Sequence, residues 1–364
     1  MNLLLNILRS YRKHQVKYAK ILIVDDQNFN HIILKDTLSD EYEFFDATSG
    51  QEAIDLIEHH FSELSLVLLD LQMEGMNGFD VLRKMNAEGW IKQLPVIVVT
   101  SDSNKDVETQ CLELNASDFI FKPFNTQVIK KRIYNVISLF TYQKSLEEKV
   151  KEQTKKLDGF NVSLLNLLGF IVEYRDSESG YHVYRVKKYS EVLAKEIQSE
   201  YPEYNLSDQD VLNITNASVL HDLGKIAIPD NILLKPGKLT AEEFDVMKSH
   251  TIKGGELITR AQDMWDPSFF KVAYDITRHH HEKFDGRGYP DKLVGDEIPI
   301  AAQIVSIVDC FDALVTDRVY KKAYTPEVAR DMLNNGECGT FSPKILACFN
   351  NIFDKLKFIS ENIK

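Results

Sequence analysis

The stretch ILIVDD (residues 21–26) decides the fold of the first third of the chain. It is a continuous apolar run that ends in two acids, and four further candidate strands follow it: YEFFDAT (42–48), LSLVLLDLQ (64–72), LPVIVVTSD (94–102) and DFIFKPF (118–124). Segments with helical periodicity, such as 50–59 and 105–115, lie between them. Short apolar strands that alternate with helices predict a parallel sheet covered on both faces. We therefore expect a small, doubly wound α/β domain with five strands.

Acids lie where two of these strands end. Asp25 and Asp26 close the first strand, and Asp70 lies on the third. Ligands bind beyond the carboxyl ends of the strands in an open parallel sheet. Three carboxylates at this edge would repel one another without a divalent cation, so the pattern predicts Mg²⁺. Thr100 and Lys122 close the fourth and fifth strands, and they offer a hydroxyl and an ammonium to a phosphoryl group on a carboxylate.

These positions resemble the receiver domain of bacterial response regulators, over residues 20–140. The resemblance implies that Asp70 accepts phosphate from a cognate sensor histidine kinase. It also implies Mg²⁺ ligands at Asp25, Asp26 and Asp70, and switch residues that respond to the phosphoryl group at Thr100, Phe119 and Lys122. A flavodoxin-like domain with incidental acids is the alternative.

A near-heptad stripe predicts one long helix after this domain. Its members recur at steps of three and four: Leu139, Tyr142, Leu146, Val150, Gln153, Leu157, Phe160, Leu164, Leu167 and Ile171. The polar segment SLEEKVKEQTKKLD between them cannot bury itself. We expect residues 141–168 to form a linker helix that pairs with its copy in a homodimer; packing along its own chain is the alternative.

Composition excludes several classes of protein. The formal net charge of -12 argues against a nucleic-acid binder, because phosphate backbones require an excess of Lys and Arg. The four cysteines have no C-x-x-C spacing, which indicates reduced thiols in a cytoplasmic protein. No apolar run approaches the roughly 20 residues of a membrane span, so stable membrane insertion is not expected. Residues 1–19 are interpreted as an amphipathic extension that packs on the protein or a partner, with a weak membrane-surface contact as the alternative.

Residues 169–364 carry helical periodicity without a strong strand candidate, which predicts an all-α domain. Six of the ten histidines in the chain fall between residues 182 and 281. Together with nearby acids they form a set of candidate metal ligands: Glu178, His182, His221, Asp222, His250, His280, His281 and Asp309. Any one of them has a simpler explanation, since a single His such as His250 is more often a hydrogen-bonded core residue.

The composition of this ligand set indicates its chemistry. Imidazoles and carboxylates without thiolates favour Fe or Mn over structural zinc. The set exceeds the needs of one ion, and the adjacent histidines and a bridging Asp222 suggest two or three divalent metal ions. Such centres suit phosphodiester hydrolysis, because paired metal ions lower the pKa of a bound water and hold the phosphate. Lys225 is placed to stabilise charge on the phosphate or the leaving oxygen.

A basic pair follows further along the chain. Arg318 and Lys321 lie three residues apart in DRVYKK, and they suit a second phosphate because the guanidinium of Arg318 can fork its oxygens. A solvated basic helix end is the alternative.

The motifs RDSESGYH, HDLGK, HHEKFDGRGYP, IVDCFDAL and DRVYKKA resemble, in this order, the HD-GYP subgroup of the HD phosphohydrolase superfamily, over residues 160–364. The resemblance implies a metal-dependent phosphodiesterase that opens cyclic di-GMP to pGpG, with further cleavage to GMP left open. It implies that the eight candidates are metal ligands, that Asp222 and Lys225 act in catalysis, and that Arg318, Lys321 and Tyr289 contact the substrate. His279, the first histidine of the triplet, is not expected to be a ligand.

The sequence thus predicts a multidomain response regulator: an α/β receiver domain, a long helix and an all-α HD-type domain that hydrolyses cyclic di-GMP under the control of Asp70 phosphorylation. Two alternatives stay open. One is an HD-type hydrolase of another cyclic dinucleotide or nucleotide, and the other is a non-catalytic module that docks onto partner proteins.

Overall fold

The computed structural model of the chain describes residues 19–102, 105–123, 125–176, 181–317 and 322–363. Except for Ala19, the amphipathic extension expected over residues 1–19 lies outside these residues. Among the helices that the described residues form, none is both long enough and apolar enough to cross a bilayer.

The first unit contains the five-stranded parallel sheet that the sequence predicts. Its strands are β1 (Lys20–Val24), β2 (Glu43–Ala47), β3 (Leu64–Asp70), β4 (Val96–Thr100) and β5 (Asp118–Phe121). They lie in the order β2-β1-β3-β4-β5, with helices α1 (Asn28–Leu38), α2 (Gly50–His60), α3 (Gly78–Ala87) and α4 (Lys105–Glu113) between them in sequence. Val24 pairs with Leu69 across β1 and β3, so the residues that follow both strands share one edge of the sheet.

Alternate residues of each strand pack against helices on opposite faces of the sheet. Leu22 and Val24 of β1 belong to one apolar core, whereas Ile21 and Ile23 belong to the other. All four are buried. A strand that is buried on both faces has no room for a polar side chain until it ends, and this explains why the acids first appear at the carboxyl ends of β1 and β3.

Helix α5 (Thr126–Arg175) is a single helix of 50 residues. Near its start, Ile129 and Ile133 belong to one core of the sheet, and later Leu165 belongs to the core of the helical unit. The two compact units of the chain divide inside this helix, between Thr154 and Lys155. The apolar members of the near-heptad stripe are all exposed, to between 41% (Leu164) and 62% (Leu139).

The second unit is helical, as the sequence predicts. After α5 it contains α6 (His182–Glu200), α7 (Asp208–Ala217), the short α8 (Asp230–Leu233), α9 (Ala241–Arg260), α10 (Pro267–His279), α11 (Ile300–Val315), α12 (Pro326–Asn334), α13 (Pro343–Asn351) and α14 (Phe353–Asn362). The ring of Tyr189 packs edge-on against that of Phe311 with centroids 5.5 Å apart. Both side chains are fully buried, so α6 and α11 are held together through the core.

Candidate metal centre and phosphoacceptor site

The acids of the sheet edge meet at one lysine. The Nζ atom of Lys122 lies 2.8 Å from a carboxylate oxygen of Asp25 and 2.8 Å from one of Asp70. Asp25 also accepts hydrogen bonds from the backbone N–H of Gln27 and the side-chain amide of Asn30, each at 2.9 Å. The arrangement follows from the register of β1 and β3, since each acid comes at or directly after the end of its strand.

Burial and the shared ammonium act on the two carboxyls differently. Burial raises the pKa of the Asp70 carboxyl, and the hydrogen bond from Lys122 offsets this only in part. At Asp25 burial also acts to raise the pKa, but hydrogen bonds from Lys122 and Asn30 outweigh it, and the pKa is lowered. Two buried carboxylates that share one ammonium leave negative charge and free oxygen lone pairs, which fits a hard, oxygen-preferring cation such as Mg²⁺.

The other residues expected to act in the receiver site lie on β4 and β5 or directly after β1. Asp26 is exposed beside the buried Asp25. Thr100 is buried at the end of β4, and its Oγ accepts the N–H of Asp102 at 3.1 Å. Phe119 is half-buried on β5, and the guanidinium of Arg132 lies 6.0 Å from its ring centroid.

In the helical unit, both helices and the short turns between them carry candidate ligands. His182 begins α6, His250 lies in the middle of α9 and Asp309 lies on α11. His221 and Asp222 lie between two 3₁₀ turns, Ser218–Leu220 and Leu223–Ala227.

The second of these turns packs tightly on α9. A Cβ atom at Gly224 would come 1.8 Å from the carbonyl oxygen of His250, so only glycine permits the close approach of the two backbones.

The first group of ligand atoms is formed by His182, His221 and Asp222, each of which offers one atom within 4.8 Å of the others. The two Nε2 atoms of His182 and His221 lie 3.4 Å apart. Oδ1 of Asp309 lies 3.5 Å from Nε2 of His182 and 3.8 Å from Nε2 of His221. Asp309 therefore adds a carboxylate to this group.

The second group is formed by Asp222, His250, His280 and His281, whose ligand atoms also lie within 4.8 Å of one another. Oδ1 of Asp222 lies 3.4 Å from Nε2 of His250, and its Oδ2 lies 3.2 Å from Nε2 of His221. The two oxygens of Asp222 therefore face different groups, which is the geometry of a bridging carboxylate.

Backbone carbonyls fix the tautomers of three rings. Nδ1 of His221 donates to Ser218 O, Nδ1 of His250 to Met247 O and Nδ1 of His280 to Ile276 O, at 2.8 to 3.0 Å. Because a carbonyl can only accept, Nε2 carries the lone pair in the neutral form of each ring.

Several of these lone pairs have no hydrogen-bond partner among the described residues. The atoms concerned are Nε2 of His250, Nε2 of His280 and Oδ1 of Asp222, all buried. Burying such atoms without a partner is costly. Convergent nitrogen and oxygen lone pairs without donors fit divalent metal ions.

The ionisation of three rings agrees with this role, whereas the pKa of His221 is raised because Asp222 and Asp309 outweigh the effect of its burial. Burial lowers the pKa of His280 to about 3, and it also lowers the pKa of His250. Burial likewise holds the pKa of His281 well below its usual range. Neutral imidazoles are the form that binds metals.

Two acids that the sequence analysis missed hold His182 in place. Asp312 accepts a hydrogen bond from Nδ1 of His182 at 2.8 Å, and Arg185 donates to both oxygens of the same carboxylate at 2.6 and 2.8 Å. Glu173, at the end of α5, accepts the backbone N–H of His182 at 3.0 Å and that of Val183 at 3.3 Å. Asp312 follows Asp309 by three residues and Arg185 follows His182 by three, so helical spacing from a candidate ligand was the available signal.

The histidine triplet divides at the end of a helix. Helix α10 ends at His279, so His280 and His281 lie in the turn after it and not on a continuing helix. Their rings lie 5.5 and 5.1 Å from the ring of His250. Nε2 of His279 instead lies 3.0 Å from Asp291, and the ring is not part of either ligand group.

Lys225 and Tyr289 lie beside the two groups. Nζ of Lys225 lies 2.9 Å from Oδ2 of Asp222 and 2.6 Å from Oδ2 of Asp176. The ring of Tyr289 lies 4.8 Å from that of His281. A small cleft is lined by His182, His221, Asp222 and Lys225, among others. Glu178, Arg318 and Lys321 lie outside the described residues.

Comparisons with known proteins agree with both halves of this description. The family model of the response regulator receiver domain matches residues 21–134, and that of the HD domain matches residues 181–345. A probable cyclic di-GMP phosphodiesterase of Vibrio cholerae serotype O1 is 32% identical over 359 residues, which cover 96% of this chain and 81% of that protein.

Two further relatives are informative. The cyclic di-GMP phosphodiesterase response regulator RpfG of Xanthomonas campestris pv. campestris is 33% identical over 334 residues, covering 89% of this chain and 85% of that protein. The 3'3'-cGAMP-specific phosphodiesterase 2 of Vibrio cholerae serotype O1 is 44% identical over 175 residues, which are 48% of this chain and 31% of that protein. With a receiver sheet, a helical unit that gathers histidines and acids, and relatives that match over most of both chains, the chain belongs to the family of cyclic di-GMP phosphodiesterase response regulators.

Proposed function

We infer that the helical unit hydrolyses a phosphodiester bond of cyclic di-GMP to give pGpG, with GMP as the product if a second bond is cleaved. The observation that carries this proposal is Asp222, whose two oxygens face two separate groups of buried histidine nitrogens. Adjacent ligand groups that share a carboxylate are typical of centres that cleave phosphate diesters. The relatives named above as cyclic di-GMP phosphodiesterases support the choice of substrate.

The residues that would hold the metal ions are His182, His221, Asp222, His250, His280, His281 and Asp309. Bound divalent ions would lower the pKa of a water and neutralise charge on a phosphate. We propose Fe or Mn, because the donor set mixes imidazoles with carboxylates and contains no thiolate. Two ions match the two groups, and Glu178 is proposed as the ligand that would allow a third.

The protein's own groups supply charge and orientation. The ammonium of Lys225 lies at the cleft, 2.9 Å from Asp222, where a positive charge would stabilise a phosphate or a departing oxygen. The hydrogen bond that His182 donates to Asp312 orients the His182 ring, and the backbone carbonyls of Ser218, Met247 and Ile276 orient three others. This support keeps each Nε2 aimed at the centre.

We propose that Tyr289 lines the mouth of the site, because its ring packs against that of His281 and closes one side of the second ligand group. Arg318 and Lys321 are proposed to bind the phosphate that is not being cleaved, as their spacing suggests. Their replacement is expected to raise KM more than it lowers kcat, since they would bind the substrate and the transition state alike.

The receiver unit is proposed to regulate this activity. Asp70 would accept phosphate from a sensor histidine kinase, with Mg²⁺ held by Asp25, Asp26 and Asp70. Thr100, Phe119 and Lys122 would respond to the phosphoryl group. A kinase that consumes ATP places the reaction in the cytoplasm, where we propose that this protein acts.

We further propose a homodimer in which the exposed stripe of α5 pairs with its copy. Nine apolar side chains of the stripe are exposed on one helix, which is more than a solvated helix face needs. Their steps of three and four suit a coiled coil.

One test addresses the substrate and the site together. The protein is purified without oxygen in the presence of Fe²⁺ or Mn²⁺, incubated with cyclic di-GMP, and the products are separated by chromatography. We expect pGpG or GMP, lost in the His221→Ala/Asp222→Ala variant and retained in His279→Ala, whose ring bonds to Asp291 instead. A metal-loaded protein that yields no product would overturn the proposed substrate, and a metal-free inactive protein would favour a docking module.

A second candidate substrate is 3'3'-cGAMP, because 175 residues of the chain are 44% identical to a relative named for that substrate. It differs from cyclic di-GMP in one base, so the same centre could cleave both. The two values of kcat/KM, measured on the same preparation, decide between them.

A further inference from the structure

The last residue of α5 clamps the loop that carries Lys225. Nη1 of Arg175 donates to the carbonyl oxygens of Lys225 and Ile226 at 2.8 and 2.7 Å. Nη2 donates to the carbonyl oxygen of Ile228 at 2.7 Å and to Oδ1 of Asp230 at 2.7 Å. One guanidinium thus holds the backbone at three positions that directly follow the ligands His221 and Asp222.

The clamp adds to the contacts that hold a short turn, in which Lys253 also donates to the carbonyl oxygen of Ala227 at 3.0 Å. The turn Leu223–Ala227 is a 3₁₀ helix, which lacks the regular i to i−4 bonds of an α-helix. Its own bonds include Lys225 N–H to Asp222 O at 2.9 Å and Ile228 N–H to Lys225 O at 3.0 Å. Gly224 packs on α9 from one side, and Arg175 fixes the carbonyls from the other.

The carbonyl contacts carry more of the effect than the ion pair does. The side chain of Asp230 is 72% exposed, and that of Arg175 is 31% exposed. Water screens a pair of this kind, and it contributes little. The bonds to the carbonyl oxygens depend on the planar fork of the guanidinium, which an ammonium cannot reproduce.

The same turn of α5 also fixes the start of α6. Glu173 lies two residues before Arg175 and accepts the backbone N–H groups of His182 and Val183. The end of the long helix therefore holds both the element that carries His182 and the loop that carries Lys225.

We propose that Arg175 is a positioning residue of the metal centre, which ties the rotational setting of α5 to the placement of Lys225. This inference rests on the proposed hydrolysis for its kinetic part only. Loss of the clamp frees the turn between Asp222 and Asp230, and the ammonium of Lys225 no longer stays at a fixed place beside Asp222.

The test compares four proteins as full chains: wild type, Arg175→Ala, Arg175→Lys and Arg260→Ala. Arg260 is a matched control, because it is the last residue of α9, as Arg175 is of α5, and it is exposed. Hydrogen exchange is measured by mass spectrometry on peptides that cover residues 222–230. The kinetic constants kcat and KM are measured with cyclic di-GMP.

We expect amide exchange at residues 225–228 to be about 10-fold faster or more in Arg175→Ala, because local opening becomes easier. We expect kcat to fall about 10- to 100-fold with KM changed less than about twofold, as for a displaced group that acts in the transition state. Arg175→Lys should lie between wild type and Arg175→Ala, and Arg260→Ala should match wild type.

Three results would overturn the inference: unchanged exchange in Arg175→Ala, faster exchange with unchanged kcat, or an effect on KM alone. If Arg175→Ala does not fold, Arg175→Lys carries the same comparison, because it keeps the positive charge and loses the fork. If wild type fails to cleave cyclic di-GMP, the proposed function fails, and the exchange measurement still decides whether Arg175 holds the loop.

Discussion

Asp312 accepts hydrogen bonds from both His182 and Arg185, and the Nδ1 atom of His182 lies 2.8 Å from the Asp312 carboxylate. His182 and Asp312 are 130 positions apart in sequence. Asp312 is almost fully buried. This contact turns the Nε2 atom of His182 toward His221 and Asp309. A carboxylate behind a ligating histidine both orients the ring and raises its basicity.

We expect Asp312→Asn to weaken metal binding and folding together. Loss of the carboxylate should lower metal affinity about 10- to 100-fold. It also leaves the buried guanidinium of Arg185 without its counter-charge, which should cost about 3–5 kcal/mol of unfolding free energy. Metal titration and urea unfolding measure the two effects. Glu203→Gln, which removes an exposed pair with Lys344, should leave both unchanged; equal losses in the two variants would contradict the assignment.

Gly224→Ala tests the close approach of the HDLGK turn to α9. The added Cβ would lie 1.8 Å from the carbonyl oxygen of His250, so one backbone must move, at a cost of about 1–3 kcal/mol. The temperature of thermal unfolding and the metal content of the purified protein should both fall.

Gly159→Ala is the matched control for this change. Gly159 lies in α5, and a Cβ there meets nothing within 4 Å. It should stabilise the protein by roughly 0.5–1 kcal/mol through helix propensity. A Gly224→Ala protein as stable as wild type would show that the two backbones are not in close contact in solution.

Lys122→Ala should make the receiver unit depend on magnesium. Without the ammonium that lies 2.8 Å from both carboxylates, Asp25 and Asp70 repel each other. We expect the unfolding temperature of the receiver transition to fall without Mg²⁺ and to recover more than that of wild type when Mg²⁺ is added. Calorimetry of the full chain follows this transition. Lys130→Ala, at an exposed pair with Glu41, should respond to Mg²⁺ as wild type does.

Replacing two members of the stripe tests the proposed dimer. Leu146→Asn/Leu157→Asn places polar groups at two exposed apolar positions, and a coiled-coil pair should weaken by 10-fold or more, on the order of 1.4 kcal/mol. Sedimentation equilibrium measures the dissociation constant. Glu148→Asn/Lys155→Asn changes two exposed residues off the stripe and should leave the constant unchanged. A wild-type protein that is monomeric at all concentrations would refute the pairing.

The sheet and its acids are predictable because strand burial is written directly into the local sequence. A run such as ILIVDD is apolar wherever both faces are covered, and the first acid marks the end of the strand. The register of β1 and β3 then brings Asp25 and Asp70 together. The role of Lys122 as a bridge between these carboxylates needs the fold, because their order along the sheet is a tertiary property.

In the helical unit, the candidate metal ligands can be predicted from the sequence, but the residues that hold them in place cannot. Sequence patterns single out His182 and Asp309, whereas Asp312 and Arg185 look like ordinary helix residues until α6 and α11 pack together. The divergence of His279 from His280 and His281 depends on where α10 ends, and no strong stop signal falls inside the triplet. The glycines that would signal the end of the helix, Gly286 and Gly288, come several residues after the triplet.

The continuity of α5 has a consequence for how such chains can change length. Each residue inserted into an α-helix rotates everything beyond it by about 100° and advances it by about 1.5 Å. A single insertion in the polar middle of α5 would therefore place the later members of the stripe on a different side of the helix from the earlier ones. An insertion of seven residues changes the rotation of the later part of the helix about its axis by only about 20°. Functional lengthening or shortening of this helix is therefore expected to occur in sevens.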